Sequence, residues 1–591
     1  MQHPSVLFSR LERSFAQRWL LWVFLMWAAA GSAFIFQRWG SIHWFALGDT
    51  DDNLRLLQVR AWLYGQDWYD LRQYKLNPPL GADIHWTRLV DLPIAALILI
   101  GRMFTTPIGA EKFAVAAAPL IPLIVAMTGV ALTARRLVDP RAAALAAFLL
   151  IFCQSTMSMF MPLRIDHHGW QLAVLAVMMA GLADPKQVRG GITVGLASAI
   201  SMTIGIEMIA YLAIAGAVTA LRWIVNPNEP MRLRAYALSL TVGIVAGYFG
   251  FASYDNALAR CDALTPVWAY TLVVAGIFLG LLSLSSARSI SGRFALAIMA
   301  GAVLVAGFVL LWPQCAGRPE GVSLELNQLW LSNIREAKPL YMQSLATILP
   351  ASLAALGIIG GLIAVCRARD KSAWVSVVLL SLCAGALMMW QTRASPAALL
   401  LSVPGATAFC LMIMGSLRRR LIWPATLLIS ALLLIFVSGI GVQIINRMMP
   451  ISPHKPNMIA VNNANRQCPT LPALRPIAKL PATTIFTFVD LSPRLAAMTH
   501  HKAIAGPYHR NGKAILDVQH AFRGTADAAR AIIKRHGATL LLICPNFSES
   551  TIYKVQNPDG FYAQLIGGKV LAWLDPITLP SGSPYRLWRV R

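Results

Sequence analysis

The stretch Gly190–Arg222, GGITVGLASAISMTIGIEMIAYLAIAGAVTALR, decides how this chain is threaded. It is apolar nearly throughout, and its one acidic residue is Glu207. Two readings fit it: one long helix, or a tight pair over 190–204 and 208–222 turning near Gly205-Ile206-Glu207. The rest of the sequence chooses between them. Other apolar spans run 19–36, 113–134, 142–158, 169–183, 235–252, 266–285, 293–312, 343–365, 372–390, 396–416 and 421–445. With the pair there are thirteen spans. Arg135/Arg136/Arg141, Lys186/Arg189, Arg222/Arg232/Arg234, Arg288/Arg293, Arg367/Arg369/Lys371 and Arg418/Arg419/Arg420 then all fall on one side. Removing a span would move the later clusters across, against the bias of Lys and Arg toward cytoplasmic loops.

Composition supports a membrane chain. Of 591 residues, 57% are hydrophobic and only 13% charged, about half the charged share of an average soluble protein. The mean hydropathy is +0.58. This excludes a soluble globular enzyme, a disordered chain and a fibrous one. The formal charge of +25 sits largely in short loops, where it sets topology, so it does not point to nucleic acid. Eight cysteines form no CxxC pair and no dense disulfide scaffold. The expected fold is mainly α, a polytopic protein with about thirteen transmembrane helices.

Arg10, Arg13 and Arg18 precede the first span, which carries no cleavage signal, so the N-terminus is expected in the cytoplasm. Residues 1–445 form the transmembrane domain, with large outer loops at 37–112 and 313–342 and a short one at 159–168. Leu92–Phe104 is too short to span and reads as an interfacial or re-entrant helix. Residues 446–591 read as an outer α/β domain large enough to fold alone. Its strands are Thr484–Val489, Ala503–Ala505 and Thr539–Cys544, and Ala526–His536 is a helix. Cys261 and Cys315 fall in outer loops, and Cys468 and Cys544 in the tail, which predicts a disulfide within each pair.

Acidic residues gather on the outer side. The first loop opens Gly48-Asp49-Thr50-Asp51-Asp52-Asn53-Leu54-Arg55. Three carboxylates so close repel one another unless a cation neutralises them; the alternative is a solvated acidic loop. The second loop reads Arg164-Ile165-Asp166-His167-His168, an oxygen and nitrogen set suited to a divalent ion or simply a polar lining. The third contains Ser332-Asn333-Ile334-Arg335-Glu336-Ala337-Lys338-Pro339. Three loops on one face can together hold a hard cation, which can stabilise a phosphate leaving group.

On these motifs the chain resembles the C-type (GT-C) glycosyltransferases, and among them the catalytic subunit of archaeal and bacterial oligosaccharyltransferase. Those proteins have thirteen spans, a long first outer loop and a soluble C-terminal domain. The spacing Asp49 to Arg55, the run Asp166-His167-His168 and the element Ser332 to Pro339 match their motifs. The resemblance implies a metal-dependent glycosyltransferase that moves a sugar or oligosaccharide from a polyprenyl phosphate or diphosphate carrier. The acceptor would be a protein, lipid or polysaccharide. Asp49, Asp166, His168 and Glu336 would hold Mg²⁺ or Mn²⁺, with Asp51 or Asp52 as alternatives to Asp49. Asp49 or Glu336 would also orient the acceptor or take its proton. Arg393, with Arg164, would hold the lipid phosphate. The implied location is a bacterial inner membrane with the active site and tail in the periplasm. The family's Trp-Trp-Asp-Tyr-Gly acceptor element is absent; the nearest stretches are Phe488–Pro493 and Gly506–Gly512.

Other groups keep two readings. Arg55, His85, Trp86, Arg88 and His167 could contact sugar or phosphate, or anchor their loops. Tyr508, His509 and Arg510 could bind an acceptor or support a turn after Pro507. Glu207 is an ionisable residue at a membrane-embedded turn, where function is the default reading. The rival class is a transporter or polyprenyl-lipid flippase, which would place ionisable residues near the bilayer midplane.

Overall fold

The computed structural model describes residues 14–368, 370–448 and 456–591. Arg10, Arg13 and Arg369 of the predicted topology lie outside them. Among the described residues, nine helices are long and apolar enough to cross a membrane, and ten if the bent pair Trp423–Val437 and Ile440–Asn446 is one span. The three other predicted spans are also helical, at Ala142–Ile151, His168–Leu182 and Gln187–Ile204. Length and apolarity alone therefore account for ten crossings of a multi-pass membrane protein, not thirteen. The predicted re-entrant segment is the helix Asp91–Arg102.

The chain reverses where the pair reading requires. Gln187–Ile204 ends at Gly205, a short 3₁₀ turn covers Ile206–Met208, and Ile209–Val225 follows. Side-chain bonds fix the directions. Near the start of His168–Leu182, Gln171 bonds the carbonyls of Ser201 and Gly205 at 3.1 and 3.0 Å, and His167 meets Glu207 at 2.9 Å. At the other end, Arg222 donates to the Leu182 carbonyl at 2.9 Å. The helices before and after Gly205 therefore run antiparallel. Small residues let the bundle close: a Cβ at Gly357 or Gly405 would strike the facing backbone between Leu345–Arg367 and Ser395–Arg420.

The predicted cytoplasmic charges meet at the end of the bundle opposite the acidic motifs. Asp184 takes Arg136 at 2.7 Å and Arg189 at 2.5 Å. Glu229 takes Arg222 at 3.0 Å and Arg232 at 2.6 Å.

The C-terminal unit holds a five-stranded sheet: β1 Thr484–Phe486, β2 Lys502–Ala503, β3 Leu540–Ile543, β4 Leu574–Ile577 and β5 Arg586–Val590, in the order β2-β1-β3-β5-β4. β1, β2 and β3 are parallel, while β5 runs antiparallel to β3 and β4. The fully buried β3 reads LLLI, the continuous apolar run of a strand covered on both faces. β4 lies at an edge, where Pro576 removes no needed donor.

The core of this unit is built mainly from its own residues and extends into the outer loops. Leu54, Leu57, Leu76, Ile84 and Trp86 of the first loop and Leu326 of the third are buried in the same cluster as Phe486, Phe522 and Leu541. The backbone joins too: Ala503 donates to the Lys75 carbonyl at 2.8 Å, and Asn77 to the Ala503 carbonyl at 3.0 Å. Arg494 reaches Asn53 at 3.2 Å and the Phe45 carbonyl at 2.9 Å. Both predicted disulfides, Cys261–Cys315 and Cys468–Cys544, are present.

Candidate active site

The first loop turns into a helix at Asp49. Asp49 is the N-cap of Thr50–Leu63, in extended backbone, and accepts the Asp51 N–H at 3.2 Å. Asp51 and Asp52 occupy the first turn, where the helix dipole favours negative charge. Asp52 is 1% exposed and accepts the backbone N–H groups of Ile165 and Asp166 at 2.8 and 3.1 Å. It thereby pins the second loop against the first.

Arg164 sits among these carboxylates. It pairs with Asp49, with Asp166 at 2.8 Å, and stands 3.8 Å from Asp52. Expected on a lipid phosphate, it is instead committed to the acids. Burial works against ionisation of Asp49, but the guanidinium outweighs it and holds the carboxyl below its usual range. Asp166 is held lower still: burial opposes its charge, and His168 and Arg164 more than compensate. Asp51 goes the other way. Burial, with the charges of Asp49 and Asp166, pushes it up to about 8.

Asp166 Oδ1 accepts the His168 backbone N–H at 3.0 Å. Asp166 Oδ2 and His168 Nδ1 face each other at 3.1 Å. Both atoms are buried, and the same Asp166 oxygen also pairs with Arg164 at 2.8 Å. Two ligand atoms of one metal ion stand about this far apart at bond lengths of about 2.0–2.3 Å. Asp166 and His168 therefore offer two ligand atoms to a divalent ion, with Asp49 joined to Asp166 through Arg164.

The lining continues from His167. Its ring stacks on His168 with centroids 4.5 Å apart and lies 5.1 Å from Trp86. Glu207, whose partner the sequence does not reveal, bonds His167 and takes a second bond from Gln171 at 3.1 Å. Trp86 carries Arg55 on its ring at 4.6 Å. Arg55 is fully buried and paired with Asp91 at 2.8 Å. Arg88 donates to the carbonyls of Trp68, Asp67 and Asp70 at 2.8, 3.0 and 2.7 Å. Of the two readings of Arg55 and Arg88, the geometry gives both to loop anchoring.

The tail residues close one side. Tyr508 donates to the Thr50 carbonyl at 3.1 Å. His509 meets Asp262 at 2.6 Å. Arg510 chelates Asp262 with two bonds of 2.7 Å and reaches Asp83 at 3.1 Å. These three residues fasten the tail to the loops. Asp262 was not singled out from the sequence; its only local signal is adjacency to Cys261.

Two predicted residues stand apart from this cluster. Glu336 is exposed and makes no hydrogen bond or ion pair to it among the described residues. Arg393 is 48% exposed at the side chain, bonds Gln391 at 2.6 Å and stands 3.8 Å from Glu320. Their segments adjoin, since Thr392 donates to the Lys338 carbonyl at 2.9 Å.

No protein-family model matches the sequence, and no curated protein matches it. Solved structures do match. The oligosaccharyltransferase AglB of Archaeoglobus fulgidus, in complex with an inhibitory peptide and dolichol-phosphate, aligns at a TM-score of 0.68 and 14% identity, over 92% of this chain and 72% of that one. The A. fulgidus oligosaccharyltransferase complex with zinc and sulfate aligns at 0.60 and 13%, over 88% and 67%. ArnT from Cupriavidus metallidurans, bound to undecaprenyl phosphate, aligns at 0.51 and 11%, over 96% and 97%. At these identities the likeness is one of architecture: the chain has the C-type glycosyltransferase fold, similar to that of oligosaccharyltransferase.

Proposed function

We propose that the protein is a membrane glycosyltransferase that moves a sugar or oligosaccharide from a polyprenyl-linked phosphate or diphosphate donor to an acceptor. The observation that carries this is the buried cluster in which Asp166 faces His168 at 3.1 Å and Arg164 joins Asp166 to Asp49, on a fold shared with proteins solved with dolichol-phosphate and undecaprenyl phosphate. Asp49, Asp166 and His168 would hold Mg²⁺ or Mn²⁺, which supplies charge stabilisation to a departing phosphate. Arg164 orients Asp49 and Asp166 and neutralises part of their charge. Asp49, at 35% side-chain exposure against 0% for Asp166, is the carboxylate placed to meet an acceptor and take its proton. Arg393 binds the donor phosphate from the neighbouring loop. Glu336 stays outside this metal set.

The acceptor face is the periplasmic side of a bacterial inner membrane, with the tail outside and the N-terminus in the cytoplasm. The Cys261–Cys315 and Cys468–Cys544 bridges belong to that side, where disulfides persist. The transporter reading calls for ionisable groups midway along the bundle, whereas the charge networks described above gather at its two ends. The test is transfer of radiolabelled sugar from a polyprenyl-linked donor by the purified protein. Asp49→Ala, Asp166→Ala and EDTA should each abolish it; transfer unaltered by all three would sink the assignment.

A further inference from the structure

A second constellation lies between the tail and the loops, outside the centre assigned above. His85 comes from the first outer loop, Asp262 from the loop after Phe251, and His509 from the tail. One ligand atom from each, the three together, lie within 4.8 Å of one another. Asp262 is buried, and both histidines are partly so. The His85 and His509 rings are 4.7 Å apart at 48°. Nδ1 of His85 is buried without a hydrogen bond among the described residues. A buried polar atom left unpaired is costly, so an ordinary hydrogen-bonded clasp does not account for His85.

We propose that His85, Asp262 and His509 form a zinc site that clamps the tail onto two outer loops. Two imidazoles and one carboxylate are a borderline nitrogen and oxygen set, which suits zinc and disfavours magnesium or calcium. The surroundings point the same way. Asp83 and Asp262 are matched by Arg260 and Arg510, so no excess negative charge is present to draw in a hard ion. Arg510 fixes the plane of the Asp262 carboxylate from outside, as partners of metal-bound carboxylates do. The site joins segments far apart in sequence, and the Cys261–Cys315 bridge carries the tie on to the third loop. It is independent of the glycosyltransferase reading.

The test uses the full chain in detergent, stripped with EDTA, reloaded with zinc and desalted. Bound zinc is measured by elemental analysis, and exposure of the tail by limited proteolysis. Wild type should keep one more equivalent of zinc than His85→Gln or His509→Gln. His85→Cys, which offers a thiolate in the same place, should restore it. Asp166→Asn should retain this equivalent, because Asp166 belongs to the other centre. Zinc should slow tail cleavage in wild type and not in His85→Gln. Equal zinc in wild type and both glutamine variants would overturn the proposal. So would a loss that His85→Cys does not restore, or cleavage that zinc does not slow.

Discussion

Arg164→Ala tests whether the outer acidic centre is built to hold a cation. The side chain is 20% exposed and faces Asp49, Asp52 and Asp166, which are 35%, 2% and 0% exposed at the side chain. Removing one partner of a buried pair costs about 3–5 kcal/mol, because the remaining charge is left uncompensated. The loss should come chiefly from Asp166, since Asp49 is partly hydrated and its pair is worth little, and Asp52 keeps its two backbone donors. In EDTA the variant should therefore lose about 3–5 kcal/mol. That corresponds to a fall of roughly 6–20 °C in the unfolding midpoint of a unit of 150–250 residues. Manganese should then return more stability to the variant than to wild type. Binding to the folded state adds RT ln(1 + [L]/Kd), and loss of the guanidinium lowers Kd by removing a like charge. The assay is thermal unfolding in detergent, with and without EDTA, across a manganese titration. A variant within about 1 kcal/mol of wild type in EDTA, or one that gains no more than wild type from manganese, would refute the reasoning.

Loss of a carboxylate from the centre should cost more activity than loss of Glu336. Asp166→Asn should lower sugar transfer by about 10²-fold or more, as expected for several kcal/mol of charge stabilisation, and Glu336→Gln by less than about tenfold; the comparison is of initial rates at saturating donor. Reducing Cys468–Cys544, which closes a loop with a sequence separation of 76, should cost the tail about 4–5 kcal/mol by chain entropy, read as an earlier unfolding midpoint in dithiothreitol. Peptide mapping without reductant should find both bridges intact and Cys366 alkylated. Asp490→Asn should stabilise the protein increasingly as pH rises above about 4 and change little below it. The Asp490 carboxyl is raised well above 3.8 by burial and then by Glu549 and Asp49. The wild-type fold therefore holds a proton that the unfolded chain has released, and loses stability as pH climbs. Unfolding midpoints at pH 4, 7 and 9 check this.

The spans were legible because lipid demands long apolar runs, and the reversal at Gly205 because loop charge fixed parity. Ala142–Ile151 shows the limit of length as a signal, since its ten residues are helical but short of a full crossing. In the tail, β1 and β3 announced themselves as apolar runs. β4 and β5 did not: Asp575 and Pro576 interrupt one, and Arg586 and Arg589 the other, so pairing rather than hydrophobicity defines them. At the site, Asp49 and Asp166 share Arg164, and Asp166 faces His168. The uses of Arg55, Arg88 and Arg164 were not legible, because an arginine on a phosphate and one on a buried carbonyl or carboxylate look alike in sequence. Asp91 and Asp262 take their meaning entirely from partners far along the chain.

The charged groups divide between the two ends of the bundle. At the end carrying the basic loops, Arg136, Arg189, Arg222 and Arg232 share only Asp184 and Glu229, leaving that end positive. At the other, Asp49, Asp51, Asp52 and Asp166 gather around the guanidinium of Arg164, and Glu207 bonds the neighbouring His167. A bundle that orients itself by excess arginine on one side is free to concentrate carboxylates on the other without upsetting its topology. Those carboxylates cannot all ionise at close range unless a cation joins them, and burial with the charges of Asp49 and Asp166 pushes Asp51 up to about 8. The first loop and tail then pack over this end through a shared core, which lowers water access and strengthens the pull on a cation. Charge segregation and loop burial are thus consequences of one threading, and the proposed cation site follows from both.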